Sequence, residues 1–350
     1  MSILMARCAG YAYMLPIHRV IVYGAKERCQ RGRSLPVAHQ APPVDRWQIA
    51  WYTAAAAELS PRGAGATMKV GHTGITWGIP GNVEQAYRDT AELGYLGFET
   101  FGRTILERNE QVGGYHALVD RYGIPTGAAY CGKTWIDPAT AAEDAAAARR
   151  EADALTVLGG QTLVLACGRR PSGGYTPEQF RQLAAALNNV GMYCRDHGLV
   201  TGLHPHTGTA IETRADIDAI MDLLDPDAVG FAPDTGQIAK GGSDILEVMR
   251  TYQSRITHVH LKDWSGKNER GVDGREIDTT GYVNYEPVGN GVLPIAALLD
   301  VLLERGFDGW VNVELDGTPR APRPPREAAA MSRRYLGQVL GEHVRWRNTA

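Results

Sequence analysis

From residue 68 onward, short apolar runs alternate with longer stretches in which apolar residues recur at helical spacing. The short runs are typical of buried strands, and the longer stretches are typical of helices that pack on one face. The strand-like runs are residues 68–75, 97–100, 125–130, 161–166, 199–204, 229–234, 256–260 and 309–314. The helical stretches are residues 83–93, a stretch ending at 122, and 139–158, 176–196, 214–224, 244–252, 294–304 and 326–340.

Eight strand–helix alternations within about 280 residues predict an α/β protein with an all-parallel sheet. That number and length fit a (β/α)8 TIM barrel of typically about 250 residues. A doubly wound open sheet is the alternative. The barrel is preferred because no Gly-x-Gly-x-x-Gly follows the first strand and a helix follows every strand.

Residues 1–67 differ from the rest of the chain. They are rich in Arg, Ala and Pro and lack a sustained strand or helix period. No basic segment precedes a clean apolar core, so a secretory signal is not expected. We therefore predict a flexible N-terminal extension over 1–67 and a TIM-barrel catalytic domain over 68–350.

Charge and cysteine usage narrow the class of protein. The net charge is −3, but residues 1–67 carry eight basic and three acidic residues, so the remainder carries 28 basic and 36 acidic residues. An acidic body argues against a nucleic-acid partner, and no apolar run is long enough to span a bilayer. The five scattered cysteines include no CxxC pair, which favours a reducing, cytoplasmic location over a disulfide framework.

The last four strand-like runs each deliver a metal-binding side chain at the carboxyl end: His204, Asp234, His260 and Glu314. In a barrel these strands are neighbours, and their carboxyl ends form the mouth where active sites lie. A lone histidine is more often a satisfied core residue, but four such residues in register favour a divalent-metal site. Two imidazoles and two carboxylates suit Mn, Co, Fe or Zn better than Mg or Ca.

Several other residues are candidates for binding or catalysis, each with a structural alternative. His206 lies one pleat beyond His204, where a substrate would lie, or is a solvated rim histidine. Trp77 could stack on a sugar ring or pack at the rim, and Glu99 could bind a substrate hydroxyl or a backbone group. Lys262 could offer a cation to an oxyanion or form a surface salt bridge. His258 lies one pleat deeper than His260, where it either packs in the core or supports the metal ligands.

These residues carry a family resemblance that spans nearly all of 68–345. The chain resembles the xylose isomerase-like TIM barrels, the sugar phosphate isomerase and epimerase superfamily, and within it the inosose dehydratases. The matching segments are residues 233–236 (PDTG), 258–263 (HVHLKD), 287–291 (PVGNG) and 310–314 (WVNVE). The resemblance implies metal ligands at His204, Asp234, His260 and Glu314. The family usually has histidine after Asp-Thr-Gly, where this chain has Gln237, a residue that can bind a hydroxyl but not exchange a proton.

Together these observations predict a divalent-metal-dependent enzyme that removes the α-proton of a small keto-sugar or keto-polyol. The expected metal is Mn or Co, with Zn and Fe as alternatives. His206, Glu314 and Lys262 are the expected catalytic residues, and Trp77, Glu99, His206 and Gln237 are the expected substrate-binding residues. A hydro-lyase is favoured because two histidines on the fifth strand can serve as base and acid.

Other reactions and classes stay open at this point. The same site could serve a sugar isomerase, a 3-epimerase or a lyase on 3-keto-glycosides. A phosphodiesterase would need more ligands and a basic groove, and a non-catalytic sugar-binding protein would have no reason to assemble four ligands. A homo-oligomer is compatible with the sequence.

Overall fold

The computed structural model describes residues 67–109, 113–317 and 323–348. The extension expected over 1–67 thus lies outside the described residues, apart from Thr67. Eight of the strands form one parallel sheet, as the apolar runs predict. They are β1 (Lys69–Thr73), β2 (Phe98–Phe101), β3 (Thr126–Lys133), β4 (Thr162–Cys167), β5 (Val200–His204), β6 (Gly230–Phe231), β7 (His258–Leu261) and β10 (Trp310–Val313).

The sheet is rolled into a nearly closed barrel. Its strands follow the order β6-β5-β4-β3-β2-β1-β10-β7, so β6 and β7 lie at its two ends. Isolated parallel bridges join these ends, one between Phe231 and Ile256 and one between Asp234 and His260. The amide of Thr257 donates to the Phe231 carbonyl at 2.9 Å, and the amide of His260 donates to the Pro233 carbonyl at 3.0 Å. The barrel is confirmed, and the open doubly wound sheet is wrong.

Helices cover the outside of the barrel and bury their apolar faces against the strands. The described ones are α1 (Val83–Glu92), α2 (Gly102–Asn109), α3 (His116–Tyr122), α4 (Ala141–Val157), α5 (Pro177–Asp196), α6 (Arg214–Met221), α7 (Thr235–Lys240), α8 (Ile245–Thr251), α9 (Ile295–Glu304) and α10 (Pro325–Leu340). None of these is long and apolar enough to cross a membrane.

Local sequence signals explain where the best-predicted helix begins. The side chain of Thr176 accepts from the amide of Gln179, and the Gln179 side chain accepts from the amide of Thr176. This reciprocal pair satisfies two amides that the first helical turn leaves free. Pro177 occupies the first helical position, where a missing amide hydrogen costs nothing.

The structure departs from the predicted elements between β2 and β3. The sequence predicted one helix ending at Tyr122, but the chain forms α2 and α3 in its place. Gly113 and Gly114, which precede α3, have φ angles of 78° and 48°. A right-handed helix cannot continue through positive φ, so the two glycines account for the interruption.

A small hairpin follows β7 and was absent from the predicted elements. Its strands β8 (Asp263–Trp264) and β9 (Tyr285–Glu286) are antiparallel. Asp263 is fully buried, and its carboxylate accepts from the amides of Trp264, Gly289, Gly291 and Leu293. A Cβ on Gly291 would lie 2.3 Å from this carboxylate. The PVGNG segment is therefore a loop wrapped around Asp263.

Candidate metal centre and active site

A cavity of about 100 Å³ opens at the carboxyl ends of the barrel strands. Strand residues of β1, β2, β3, β5 and β7 line it, together with residues that follow β1, β5 and β10. Its lining residues are Thr73, Gly74, Ile75, Ile79, Glu99, Thr100, Phe101, Tyr130, His204, His206, His260, Glu314 and Asp316.

His204 is the last residue of β5 and is 1% exposed. Its ring packs edge-on against Tyr130, with centroids 5.4 Å apart, and against His260, with centroids 4.6 Å apart. Neither of its ring nitrogens has a hydrogen-bond partner among the residues that the structure describes. Burial, reinforced by His260 and His206, lowers the pKa of His204 well below its ordinary value. The imidazole is therefore neutral, with a lone pair to offer.

Asp234 follows β6 and caps the next helix. Its Oδ1 accepts from the amide of Gln237 at 2.9 Å, which begins α7. Its Oδ2 is buried, has no aligned hydrogen-bond donor among the described residues, and lies 3.1 Å from the ammonium of Lys262. The helix cap thus uses one oxygen and leaves the other in ion-pair contact with Lys262.

His260 lies between two carboxylates. Its Nε2 is 2.8 Å from Oε1 of Glu99, and its Nδ1 is 3.0 Å from Oε2 of Glu314. Within the described part of the chain Nδ1 makes no aligned hydrogen bond, although it is within ion-pair distance of Glu314. Although burial opposes the charged form, Glu99 and Glu314 hold the pKa of His260 well above its ordinary value.

These unpartnered atoms fit a metal ion. His204, Asp234 and His260 each present a ligand atom, and the three atoms lie within 4.8 Å of one another. Burying a polar atom without a partner costs free energy unless something else satisfies it. Glu314 adds a carboxylate oxygen beside His260 Nδ1. A mixed nitrogen and oxygen set of this kind suits divalent transition metals.

Lys262 is buried beneath the candidate metal ligands and is not at the protein surface. It is fully buried, and its ammonium is 2.6 Å from Glu314, 3.1 Å from Asp234 and 3.2 Å from Asp316. Burial alone would lower the pKa of Lys262, but the three carboxylates hold it well above its ordinary value. Although burial also disfavours an ionised Glu314, Lys262 and His260 hold the pKa of that carboxyl well below its usual range.

His206 lies two residues beyond β5 and lines the cavity. Its Nδ1 lies 2.8 Å from the carbonyl oxygen of Thr207. A carbonyl can only accept, so Nδ1 carries the proton and Nε2 of the neutral ring keeps its lone pair. His206 thus lines the cavity without belonging to the group of close ligand atoms.

Three of the expected substrate-binding residues have other contacts. The Trp77 ring is buried beside His72 and outside the cavity lining, and its Nε1 donates to Asp89 at 2.9 Å. Gln237 is also outside the lining, and its Oε1 accepts from the Thr207 hydroxyl at 2.6 Å. Glu99 does line the cavity, but both of its carboxylate oxygens are engaged by other side chains.

Part of the cavity wall was not predicted from the sequence. Phe101 and Tyr130 form an aromatic side, with ring centroids 5.7 Å apart, and Asp316 lies at the mouth. Two signals were available for these residues. Tyr130 lies near the carboxyl end of β3, where barrel sites are found, and Asp316 lies two residues beyond Glu314, on the same face in an extended chain.

Residues 87–337 match the model of the xylose isomerase-like TIM barrel family. The chain belongs to this family. Among its relatives is inosose dehydratase from Geobacillus kaustophilus, 26% identical over 78% of this chain and 94% of that protein. Inosose dehydratase from Lacticaseibacillus casei is 30% identical, but the match covers 47% of this chain and spans only about half, 56%, of that relative's length.

Solved structures of xylose isomerase-like barrels share the same architecture. A 3-keto-D-glucoside 4-epimerase from E. coli superposes with a TM-score of 0.59 at 19% identity, covering 79% of this chain and all of that one. The IOLI protein, solved with a zinc atom, superposes with a TM-score of 0.63 at 17% identity, covering 79% of this chain and 99% of that one. At these identities the likeness is one of fold.

Proposed function

We propose that this chain is a divalent-metal-dependent enzyme that removes the proton next to the carbonyl of a keto-sugar or keto-polyol. We assign it as a hydro-lyase, like the inosose dehydratases to which it is similar. One observation carries the proposal. Three buried ligand atoms that make no aligned hydrogen bond to any described residue lie close together, beside a cavity that the His206 imidazole also lines.

The metal would be held by His204, Asp234, His260 and Glu314. His204 gives a ring nitrogen, Asp234 gives Oδ2 and His260 gives Nδ1, the atoms that lack partners. We propose Mn or Co as the metal, with Zn or Fe as alternatives that the donor set also accommodates. When bound, the metal supplies a Lewis acid for a keto oxygen.

His206 is the proposed base. Its Nε2 takes the proton from the carbon next to the carbonyl, while Nδ1 keeps its hydrogen bond to Thr207. The bond between the β-carbon and its hydroxyl then breaks, and His206 returns the proton to the departing oxygen as water. One imidazole thus serves as base and acid, with no net change in its protonation.

The remaining residues support this step. Burial raises the pKa of Asp234, and Lys262 opposes that rise and favours the ionised form of Glu314, while Gln237 holds the segment that carries His206. Phe101 and Tyr130 offer an apolar wall for the carbon face of a sugar or polyol ring. Among the described residues no lysine or arginine lines the cavity, which supports an unphosphorylated substrate.

Thiol chemistry supports the proposed reducing, cytoplasmic setting. Cys131, Cys167 and Cys194 are buried and free. Burial raises the pKa of Cys167 to about 12 and that of Cys194, beside Asp153, to about 12. The two thiols are thus uncharged and unreactive at neutral pH.

A substrate panel tests the proposed reaction. Metal-loaded protein is incubated with keto-inositols, ketoses and 3-keto-glycosides in deuterium oxide. A hydro-lyase releases water and yields an unsaturated or diketone product that absorbs in the near ultraviolet. An isomeric sugar that carries deuterium without such absorbance would identify an epimerase or isomerase instead.

A further inference from the structure

Glu99 is a buried carboxylate on β2 that contacts two histidines of β7 and an asparagine of β10. Its Oε1 is 2.8 Å from His260 Nε2, and its Oε2 is 2.9 Å from His258 Nε2 and 2.6 Å from Asn312 Nδ2. All four residues are at most 1% exposed. These contacts join β2 to β7 and β10, more than 150 positions apart along the chain.

The position of Glu99 depends on an irregularity in the sheet. The register between β2 and β3 shifts between Phe98, which pairs with Thr126, and Glu99, which pairs with Ala128. Gly127 is passed over at this point, and a Cβ on it would lie 2.6 Å from the Trp310 ring. Such irregularities change where a side chain points. Here the register shift falls at Glu99, the residue that contacts both His258 and His260.

We propose that Glu99 is a positioning residue that fixes His260 as a ligand through Nδ1. A carboxylate only accepts hydrogen bonds, so each histidine must present a protonated Nε2 to it. His260 is then left with one nitrogen for a metal, Nδ1, which lacks a partner and lies beside Glu314. His258 and Asn312 hold the carboxylate in place from below.

This inference rests on the proposed function and also sets the number of metals. Glu99, His258 and His260 are close enough to form a second ligand set. Using them as ligands would require both Nε2 protons to leave and the hydrogen bonds to Glu99 to break. The hydrogen-bonded arrangement therefore gives one metal at the barrel mouth, with Glu99 outside the ligand set.

The test measures the affinity of metal-free protein for Co²⁺ in the absence of substrate. Binding is monitored through the visible absorption of the bound ion. Glu99→Gln has the same shape but only one acceptor and adds a donor opposite Asn312. We expect Co²⁺ to bind about 10–100-fold more weakly, the usual effect of losing a partner of a metal-bound histidine. Glu99→Asp keeps an acceptor-only group and should retain more affinity than Glu99→Gln.

Glu151→Gln is the matched control. Glu151 is also a buried glutamate, but it pairs with Lys133 at 2.5 Å outside the cavity. It should lose stability to a similar degree and keep wild-type affinity for Co²⁺. If Glu99→Gln binds Co²⁺ like wild type and only raises KM, Glu99 is a substrate-binding residue and the proposal is overturned.

Two measurements on wild-type protein keep the inference testable if the variants fail to fold. Nitrogen NMR of zinc-loaded protein should show His260 protonated at Nε2 and unprotonated at Nδ1. The opposite pattern, or two Co²⁺ ions per chain, would overturn the positioning role. Failure of wild type to bind any divalent metal would instead refute the proposed function itself.

Discussion

At the scale of single residues, the chemistry of the site depends on which atoms of each side chain already form hydrogen bonds or ion pairs within the protein. The two-residue period of strands predicts that His204 and His206 share a face, and both line the cavity. The period does not reveal that Lys262 is buried between Asp234 and Glu314, because those partners arrive from β6 and β10. Nor does it reveal the register shift at Glu99.

His206→Asn tests the proposed base. The variant should bind metal like wild type, because His206 is outside the proposed ligand set. Its kcat should fall by roughly 10²–10⁴-fold, the usual contribution of general acid–base catalysis. His116→Asn, which changes an exposed histidine on α3, is the control and should leave kcat unchanged. Wild-type turnover in His206→Asn would transfer the role of base to Glu314.

His72 gives a prediction about stability and pH. Burial lowers its pKa from 6.5 to about 4, so the unfolded chain takes up a proton before the folded chain does. The free energy of unfolding therefore falls as pH drops from 6.5 towards 4. Between pH 7 and pH 5 this residue alone should remove about 2 kcal/mol.

Urea unfolding of wild type and His72→Gln at pH 7 and pH 5 measures the contribution of His72 to the pH dependence of stability. The variant should lose about 2 kcal/mol less than wild type over the interval. His116→Gln should behave like wild type, because that histidine is exposed. Equal losses in His72→Gln and wild type would show that His72 titrates normally in the folded protein.

At the scale of elements, helices with clear capping residues were predicted most accurately. The cap at Thr176 placed α5 within one residue of its observed bounds, Pro177–Asp196. The elements α7, β8 and β9 are only two to six residues long and have too few positions to show a period. Their formation depends on partners far along the chain, such as the Asp263 carboxylate.

The segment between β8 and β9 is a long loop held to the barrel by side-chain contacts. Lys240 ties it to α7 through Glu276 at 2.6 Å, the Val283 carbonyl at 2.9 Å and the Tyr285 ring. Lys240→Met should therefore speed amide hydrogen exchange in residues 266–284. Lys267→Met, which changes an exposed lysine in the same segment, should not. Unchanged exchange in Lys240→Met would show that the segment is held by other contacts.

At the scale of the whole molecule, the alternation of elements was enough to predict the barrel, because eight repeated units leave few topologies open. Where the folded domain begins stays a prediction. The amide of Met68 donates to the His343 carbonyl at 2.7 Å, and Trp346 packs against Tyr95 with centroids 5.6 Å apart. The residue that precedes β1 thus contacts the C-terminal segment directly.

A chain that starts at Met68 should keep the thermal midpoint and activity of the full chain, because residues 1–67 lack a core-forming pattern. Removal of residues 341–350 is the contrasting change. It deletes the contacts of His343 and Trp346 and should lower the midpoint. Thermal unfolding followed by circular dichroism compares the two, and an insoluble chain from Met68 would refute the proposed domain boundary.

Proton exchange at the carbon next to a ketone tests the central claim most directly. Wild-type protein is mixed with a keto-inositol in deuterium oxide, with bound metal and after removal of metal by a chelator, and deuterium in substrate and product is followed by NMR. We predict exchange or elimination only with metal, and a rate lowered in His206→Asn. If no keto-polyol or keto-sugar loses its α-proton to metal-loaded wild type, the proposed chemistry is contradicted.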